Sequence, residues 1–597
     1  MKIIFISQNS ENITKPFAVY KYDEFLAGNP HYIDVRKIIR NQSQKWLDEI
    51  DKSFADLSCK FLRHTRWWWV TGMSRLDARP WVQEHLVKPL FFARAVLEWC
   101  SWHQDVKEIC LVGCPYEVAV YLKEFRKDVV IHQASRPVIS VFFLLKHVFI
   151  AIFKLLKNVV HVLRHHLLRK GTFIKSDVLV LYESVANSSL TSGYKFYYDG
   201  LFDDIGGSQN DSIAYGCIDS VFSPVRDLRR QRDDKVFFVI DHLSFSGFIK
   251  SILLNIYLIF LTVWIALGKN LCRFGMYQSL RFWPNYLLSE LSRTFFLSQI
   301  CAYYALNNIV KKHKYKCVVS TYEEKIIERA ILFSCKEAGI PVIGYIPHPQ
   351  HSLALALRDV YKPLSPKPDR YAVCGSRYMD YLSSWGNKDP DSIVVWGSKK
   401  SSKCRFKMRR LSRDNLKVLL LISHPNELGI FYSWLCSEPR LTSGVRYFLR
   451  VYKAANCRRF SEELRLITNQ FNFVEEVDGE LKENIGLCDL AGFCATSAGL
   501  LAVNYGLVSI HLGLDDFFEI NPCFNDVSAM LSCNSAKQFA DRLDVLCGFD
   551  AHDLAKAYQG ELDFVDQIFS PIQGKNIGQE ILGGDINSSA LCASVVE

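Results

Sequence analysis

Residues 316–348, KCVVSTYEEKIIERAILFSCKEAGIPVIGYIPH, constrain this chain more than any other stretch. A strand-like run (KCVVS) leads through an acidic turn into an amphipathic helical pattern. A Gly-Ile-Pro turn, a second buried strand (PVIGY, 341–345) and a His-bearing loop follow. Two apolar runs of strand length around one helix form a β-α-β unit, the device that joins parallel strands. In an open parallel sheet, ligands sit outside the carboxyl ends of the strands. Glu323 and Glu324 follow the first strand and His348 follows the second, so an acid and an imidazole share one rim. A general base must come within ~3 Å of its proton. Glu323 and His348 are therefore catalytic candidates, and Glu328, one turn beyond Glu324, can orient either.

The same alternation runs through the chain. Before residue 365, KIIFIS, EICLVG, DVVIH, DVLVLYE and KVFFVID join these two runs as strand candidates, most of them separated by helical patterns. This predicts a parallel sheet. PLSPKPD (363–369), with three prolines, reads as a linker. A second series follows with DRYAVCG, DSIVVWG, KVLLLIS, RYFLRV, LCDLAGFC and VSIHL. The basic run 399–413 between them reads as a solvated loop. The expected architecture is α/β, with two Rossmann-like domains facing a central cleft. Residues 1–365 form the N-terminal domain, 366–570 a C-terminal nucleotide-binding domain and 571–597 a flexible Gly/Asn/Ser-rich tail.

Two apolar stretches lie inside the first domain. In 141–169, helical spacing gathers Lys146, Lys154, Lys157, Arg164, Arg169 and three histidines (147, 161, 165) into one arc of roughly 140° on an otherwise apolar surface. That is the pattern of a helix lying in a membrane interface. Residues 251–268 are apolar except Ser251, Asn255 and Thr262, and sit at the lower edge of spanning length. Buried core and true spans compete with interfacial attachment. Attachment is preferred because strand-like runs fill the segment between the two stretches.

In the second series a strand ends at Cys494 and small residues open a helix. Helix N-termini offer free N–H groups and partial positive charge to phosphates. Thr496, Ser497, Ala498 and Gly499 are accordingly candidates to hold a nucleotide diphosphate, against the plain alternative of an ordinary cap. His424, in Ser-His-Pro after KVLLLIS, and Arg450, ending RYFLR, are further candidates on that side. Glu183 and Asp241 end other strands and are weaker options for a base. No P-loop, no GxGxxG after the first strand and no metal-spaced His/Cys set occurs. No metal or tightly held cofactor is expected, so any nucleotide is a co-substrate.

Composition narrows the partners. Ten surplus positive charges and a pI near 8.7 suit anionic ligands. The basic residues interleave with a membrane-type apolar face rather than with exposed aromatics, so nucleic acid is not expected. Nineteen cysteines without a Cys-x-x-Cys pair fit reduced thiols in a cytoplasmic protein.

The pattern Tyr322-Glu323…Glu328-Arg329-Ala330 followed by Gly344 and His348 resembles a family of bacterial surface-carbohydrate biosynthesis proteins with GT-B glycosyltransferase character. Trp67-Trp68-Trp69-Val70-Thr71, Gly193-Tyr194 and Tyr198-Asp199-Gly200 are also similar to it. Ile327 stands where that family carries a Trp, and Leu501 or Val503 stands where many GT-B enzymes carry a ribose-holding Glu. The resemblance implies a metal-independent glycosyltransferase for O-antigen, capsule or lipopolysaccharide. It would take a nucleotide-sugar and a glycan or lipid-linked glycan acceptor, as a peripheral, monotopic protein on the cytoplasmic face of the inner membrane. A polyol-phosphate transferase and a non-enzymatic scaffold of a polysaccharide assembly complex are the alternatives. The Trp run could stack on sugar rings, although a core aromatic cluster is the commoner fate.

Overall fold

The computed structural model describes residues 2–6, 18–21, 32–34, scattered positions within 42–67, 88–112, 116–133, 141–167, 176–183, 198, 201–202, 213–218, 236–267, 283–293, 296–323, 325–349, 358, 366–403, 410–423, 425–451, 458–494, 496–513 and 531–582. His424, Ala495, Glu324, residues 68–71, 193–194 and 583–597 lie outside the described residues.

Three sheets organise the described residues. The first is β3-β2-β1-β4-β5, made of β1 (Lys2–Ile6), β2 (Ala18–Lys21), β3 (Tyr32–Asp34), β4 (Glu108–Val112) and β5 (Val130–Gln133). Its β1–β2 and β2–β3 pairs are antiparallel, so β2 and β3 hang on β1 as a meander.

The second sheet is all parallel, in order β12-β11-β10-β9-β6-β7-β8. It contains β6 (Val178–Glu183), β7 (Ile213–Ile218), β8 (Val236–Phe238), β9 (Cys317–Thr321), β10 (Val342–Ile346), β11 (Arg370–Val373) and β12 (Ile393–Val395). From β6 the chain adds strands to one side, then returns to place β9 on the other. That is the 3-2-1-4-5-6 Rossmann order with one strand added.

The third sheet, β15-β14-β13-β16-β17-β18, repeats the order with no addition. Its strands are β13 (Leu416–Ile422), β14 (Val445–Val451), β15 (Val474–Glu476), β16 (Leu490–Phe493), β17 (Val508–Leu512) and β18 (Leu531–Cys533), all parallel. The molecule is thus an α/β protein with two Rossmann-like sheets, as expected, and with an N-terminal sheet besides.

Three boundary expectations need correction. The strands at 2–7, 108–113 and 128–132 do not join the sheet of 178–346 but form their own. The prolines of 363–369 do not divide domains. Pro368 packs against Gly344, Asp369 accepts the Val342 N–H (2.8 Å), and β11 and β12 extend the sheet already begun. Residues 571–582 are not a tail. The helix Gly574–Leu582 buries Ile577 and Ile581 in the first unit's core, and Glu580 pairs with Arg370 at 2.7 Å. The chain therefore returns from the second unit to the first. Gly397 marks the passage: its φ is +82°, and a Cβ there would lie 2.2 Å from the Pro571 carbonyl oxygen.

The β9–β10 crossover shows how the sequence builds its site. The helix Ile326–Glu337 ends where Gly339 takes a left-handed φ of +67°. The Ile340 N–H then reaches the Cys335 carbonyl (2.9 Å) and the Gly339 N–H reaches Lys336 (3.1 Å), closing a Schellman turn. This returns the chain directly into β10, all five of whose residues are buried.

Candidate active site

In each Rossmann-like sheet the crevice opens where the strand order reverses. In the second sheet that is between β6 and β9, and in the third between β13 and β16. Glu183 and Thr321 end the first pair, and Ile422 and Phe493 end the second. Most sequence candidates fall at these two places. Asp241 does not: it is buried in the turn after β8, an edge strand.

At the first crevice the loop after β9 carries Glu323, and the turn after β10 carries His348. Because these strands are hydrogen-bonded neighbours, the two side chains meet, with His348 Nε2 2.8 Å from Glu323 Oε1. Lys325 Nζ lies 3.0 Å from Glu323 Oε2. Burial pushes the Glu323 carboxyl up, but the charges of His348 and Lys325 outweigh it and hold the group well below 4.5. Glu323 is thus a fixed anion. Its side chain is 10% exposed against 28% for His348, so the imidazole is the member of the pair that faces solvent.

Glu328, the candidate to orient the pair, bears on the backbone of the loop that carries Glu323. It is 2% exposed. One oxygen accepts the backbone N–H groups of Glu323 (2.8 Å) and Lys325 (2.7 Å), and the other accepts the Thr321 hydroxyl (3.1 Å). Both carboxylate oxygens are thus engaged by the loop and hold Glu323 in place.

The second crevice uses the same clamp. Glu427, buried near the start of the helix Pro425–Ser437, accepts both the Ser423 N–H (2.6 Å) and the Ser423 hydroxyl (2.7 Å). Opposite it, the chain leaves β16 through Cys494 into Thr496, Ser497, Ala498 and Gly499, which open the helix Ala498–Asn504. Thr496 Oγ1 accepts the Ala498 N–H at 3.2 Å, a local cap. Gly499 answers to packing, since a Cβ there would lie 2.0 Å from the Phe493 ring. Arg450 is engaged elsewhere: Nη1 donates to the Gly479 carbonyl (2.7 Å) and to Asn484 Oδ1 (2.5 Å), fastening the 479–484 loop. That overturns its reading as a simple counter-charge.

Lys400 is the residue that sequence reasoning missed. It follows β12 in the basic run read as solvated, yet it is half-buried. Its carbonyl accepts Asn504 Nδ2 (2.6 Å), tying it to the helix of the second crevice. Its ammonium sits 5.8 Å from the Phe569 ring centroid and within electrostatic range of Glu323. Burial lowers its pKa, and Glu323 pulls it back up. Lys400 thus touches both units, its carbonyl holding the C-terminal end of the helix Ala498–Asn504 while its ammonium lies within electrostatic range of Glu323. The available signal was position: the Lys399-Lys400 pair comes directly after a strand of the site-bearing sheet.

Trp67 packs edge-on against Tyr303 (4.7 Å) and tilted against Tyr304 (6.0 Å), a core contact and not an open sugar platform. Among the described residues no group of three His, Cys, Asp or Glu side chains is gathered as a metal site.

The fold and site define a two-crevice Rossmann-type protein with a charged rim on one sheet and a small-residue rim on the other. No family model matches the chain, and no curated protein matches it. Solved structures do. The lipopolysaccharide outer core galactosyltransferase WaaB in its apo form is 11% identical, covering 68% of this chain and 99% of its own, with a TM-score of 0.40. An α,α-trehalose 6-phosphate synthase from Burkholderia multivorans is 10% identical over 70% and 100%, with a TM-score of 0.37. TarM is 10% identical over 70% and 99%, also at 0.37.

Proposed function

We propose that this protein is a glycosyltransferase that moves a sugar from a nucleotide-activated donor to a hydroxyl of a glycan or lipid-linked glycan acceptor. The observation that carries the reading is the Glu323–His348 pair at 2.8 Å on the switch-point rim of one Rossmann-like sheet. His348 Nε2 lies 2.8 Å from Glu323 Oε1, which leaves Nδ1 to act on the acceptor. Nδ1 takes the acceptor proton as that oxygen bonds to the anomeric carbon. The bond from that carbon to the phosphate oxygen breaks, and its electron pair leaves with the nucleotide. Lys400 and the partial positive charge at the start of the helix Ala498–Asn504 neutralise the departing anion. Fixed cations and dipoles suffice for this chemistry, so a metal-independent route is proposed. The motifs shared with surface-carbohydrate proteins favour an O-antigen, capsule or lipopolysaccharide acceptor.

The test is thermal stabilisation by UDP, GDP, dTDP, CMP and ADP, in wild type and Ser497→Trp. A nucleotide at 100 times its Kd stabilises by about 2.7 kcal/mol. One base class should shift the wild type and leave S497W unmoved. No shift from any nucleotide would remove the donor side of the proposal.

A further inference from the structure

Two long helices of the first unit, Val141–Leu167 and Phe245–Leu267, are built inside out. In Phe245–Leu267 the polar residues Ser251, Asn255 and Thr262 are buried, at 0%, 4% and 0% exposure. Ser251 and Thr262 turn their hydroxyls back onto the carbonyls of Gly247 and Leu258, each at 2.7 Å. The outward face is Phe245, Ile249, Leu253, Ile256, Phe260 and Trp264, with Phe260 69% exposed. In Val141–Leu167, His147 and Asn158 are buried while Leu145, Phe149, Phe153, Leu156 and Val160 face out, Phe149 at 71%. Of the twenty-one large apolar side chains exposed among the described residues, fifteen lie on these two helices. Water alone would select the opposite arrangement.

The charges say what covers this face. Neither helix holds an acidic residue. At about 100° per residue, Lys146, Lys157 and Arg164 fall along one edge of the first apolar stripe, and Lys250 falls beside the second. Lys146, Lys157 and Lys250 are exposed. A second copy would bring lysine rows against lysine rows, whereas an anionic lipid surface complements them. Passage through the bilayer conflicts with the packing. The inward face of Phe245–Leu267 rests on the helices Trp283–Arg293 and Phe296–Lys312, and the latter packs on Ile326–Glu337. An α/β unit lies along one side of both helices, so they enter only one leaflet.

We infer that the two helices form a single monolayer-inserting surface for anionic lipid bilayers. The surface couples to the site by contact: Phe245–Leu267 packs on Phe296–Lys312, which packs on the helix whose Glu328 holds the Glu323 loop. A membrane-held protein of this design presents the Glu323–His348 rim at a fixed height above the lipid.

Flotation of the full-length protein with vesicles tests this without any substrate, so it stands or falls apart from the transferase reading. Wild type is floated with phosphatidylcholine vesicles and with mixed phosphatidylcholine–phosphatidylglycerol vesicles, beside F149D/F260D and K146Q/K157Q. All four changes are at exposed positions, and thermal melts check that each variant folds. Wild type should float with the mixed vesicles. K146Q/K157Q should lose roughly thirtyfold in partitioning, about fivefold per charge, and F149D/F260D should stay behind. Flotation of F149D/F260D at wild-type level would overturn the inference. So would a wild-type protein that binds neither vesicle, or a dimer seen by light scattering that F149D/F260D disperses without any vesicle binding; the latter would give the face to a second copy.

Discussion

The two Rossmann-like rims share a plan and differ in chemistry. Both end a central strand in a short loop, and both secure that loop with a buried glutamate from the following helix: Glu328 on Glu323 and Lys325, Glu427 on Ser423. The first loop then displays charge, the Glu323 carboxylate lying 3.0 Å from the Lys325 ammonium and 2.8 Å from the His348 imidazole of the neighbouring turn. In the second unit the loop after β16, across from Ser423, carries Thr496, Ser497, Ala498 and Gly499, small residues that open the helix Ala498–Asn504, with Thr496 Oγ1 on the Ala498 N–H. On the proposed reading, one topology used twice yields a rim that moves a proton and a rim that receives a bulky anion.

Breaking the charged rim should have the largest effect. His348→Ala is expected to slow transfer by roughly 10²–10⁴-fold, the usual contribution of a positioned base, with no matching loss in the melting profile. Glu328→Ala should instead act on structure. It strands two N–H groups and a hydroxyl, and should cost about 3 kcal/mol in a denaturant titration. Glu427→Ala, with fewer partners, should cost less. Equal costs would mean that the clamps are not graded as their contacts suggest.

On the small-residue rim, Gly499→Ala drives a methyl into Phe493 and should destabilise by about 1–3 kcal/mol. Adding Phe493→Leu should recover part of that stability. If nucleotide protection returns with it, the glycine serves packing and not direct ligand approach.

The smallest effect is a pH signature. Glu323 has its folded pKa below 4.5, so its stabilising contribution is complete above that pH and is lost as pH falls through the depressed folded value. The stability gap between wild type and Glu323→Gln, followed by urea unfolding, should be widest at neutral pH and should close on acidification. A gap that widens instead would mean that His348 and Lys325 do not hold the carboxylate as described.

How much of this was legible in the sequence depends on what each residue faces. The β9-helix-β10 unit could be read because each strand carries an apolar run and Gly339 marks the turn between them. Adjacency of parallel strands then brought Glu323 and His348 together. The N-terminal sheet was not legible as a separate body, since β2 and β3 are four and three residues long and carry no strong strand pattern. Three prolines at 363–369 imitate a linker, because composition does not reveal that Pro368 packs on Gly344. The contacts of Gly499 and Arg450 were hidden for a related reason: what they oppose, the Phe493 ring and the 479–484 loop, is fixed only by the fold. Lys400 was hidden in a basic run whose other members gave no reason to single it out.

The most direct test of the two-rim account is a transfer assay. Wild type, His348→Ala and Lys400→Met are incubated with UDP-, GDP-, dTDP- and CMP-linked sugars and a membrane glycolipid extract, and free nucleotide and glycosylated lipid are both measured. The account predicts that one nucleotide class is consumed with equal amounts of product formed, and that both substitutions suppress it. Turnover by His348→Ala at the wild-type rate, or nucleotide release from no donor at all, would contradict it.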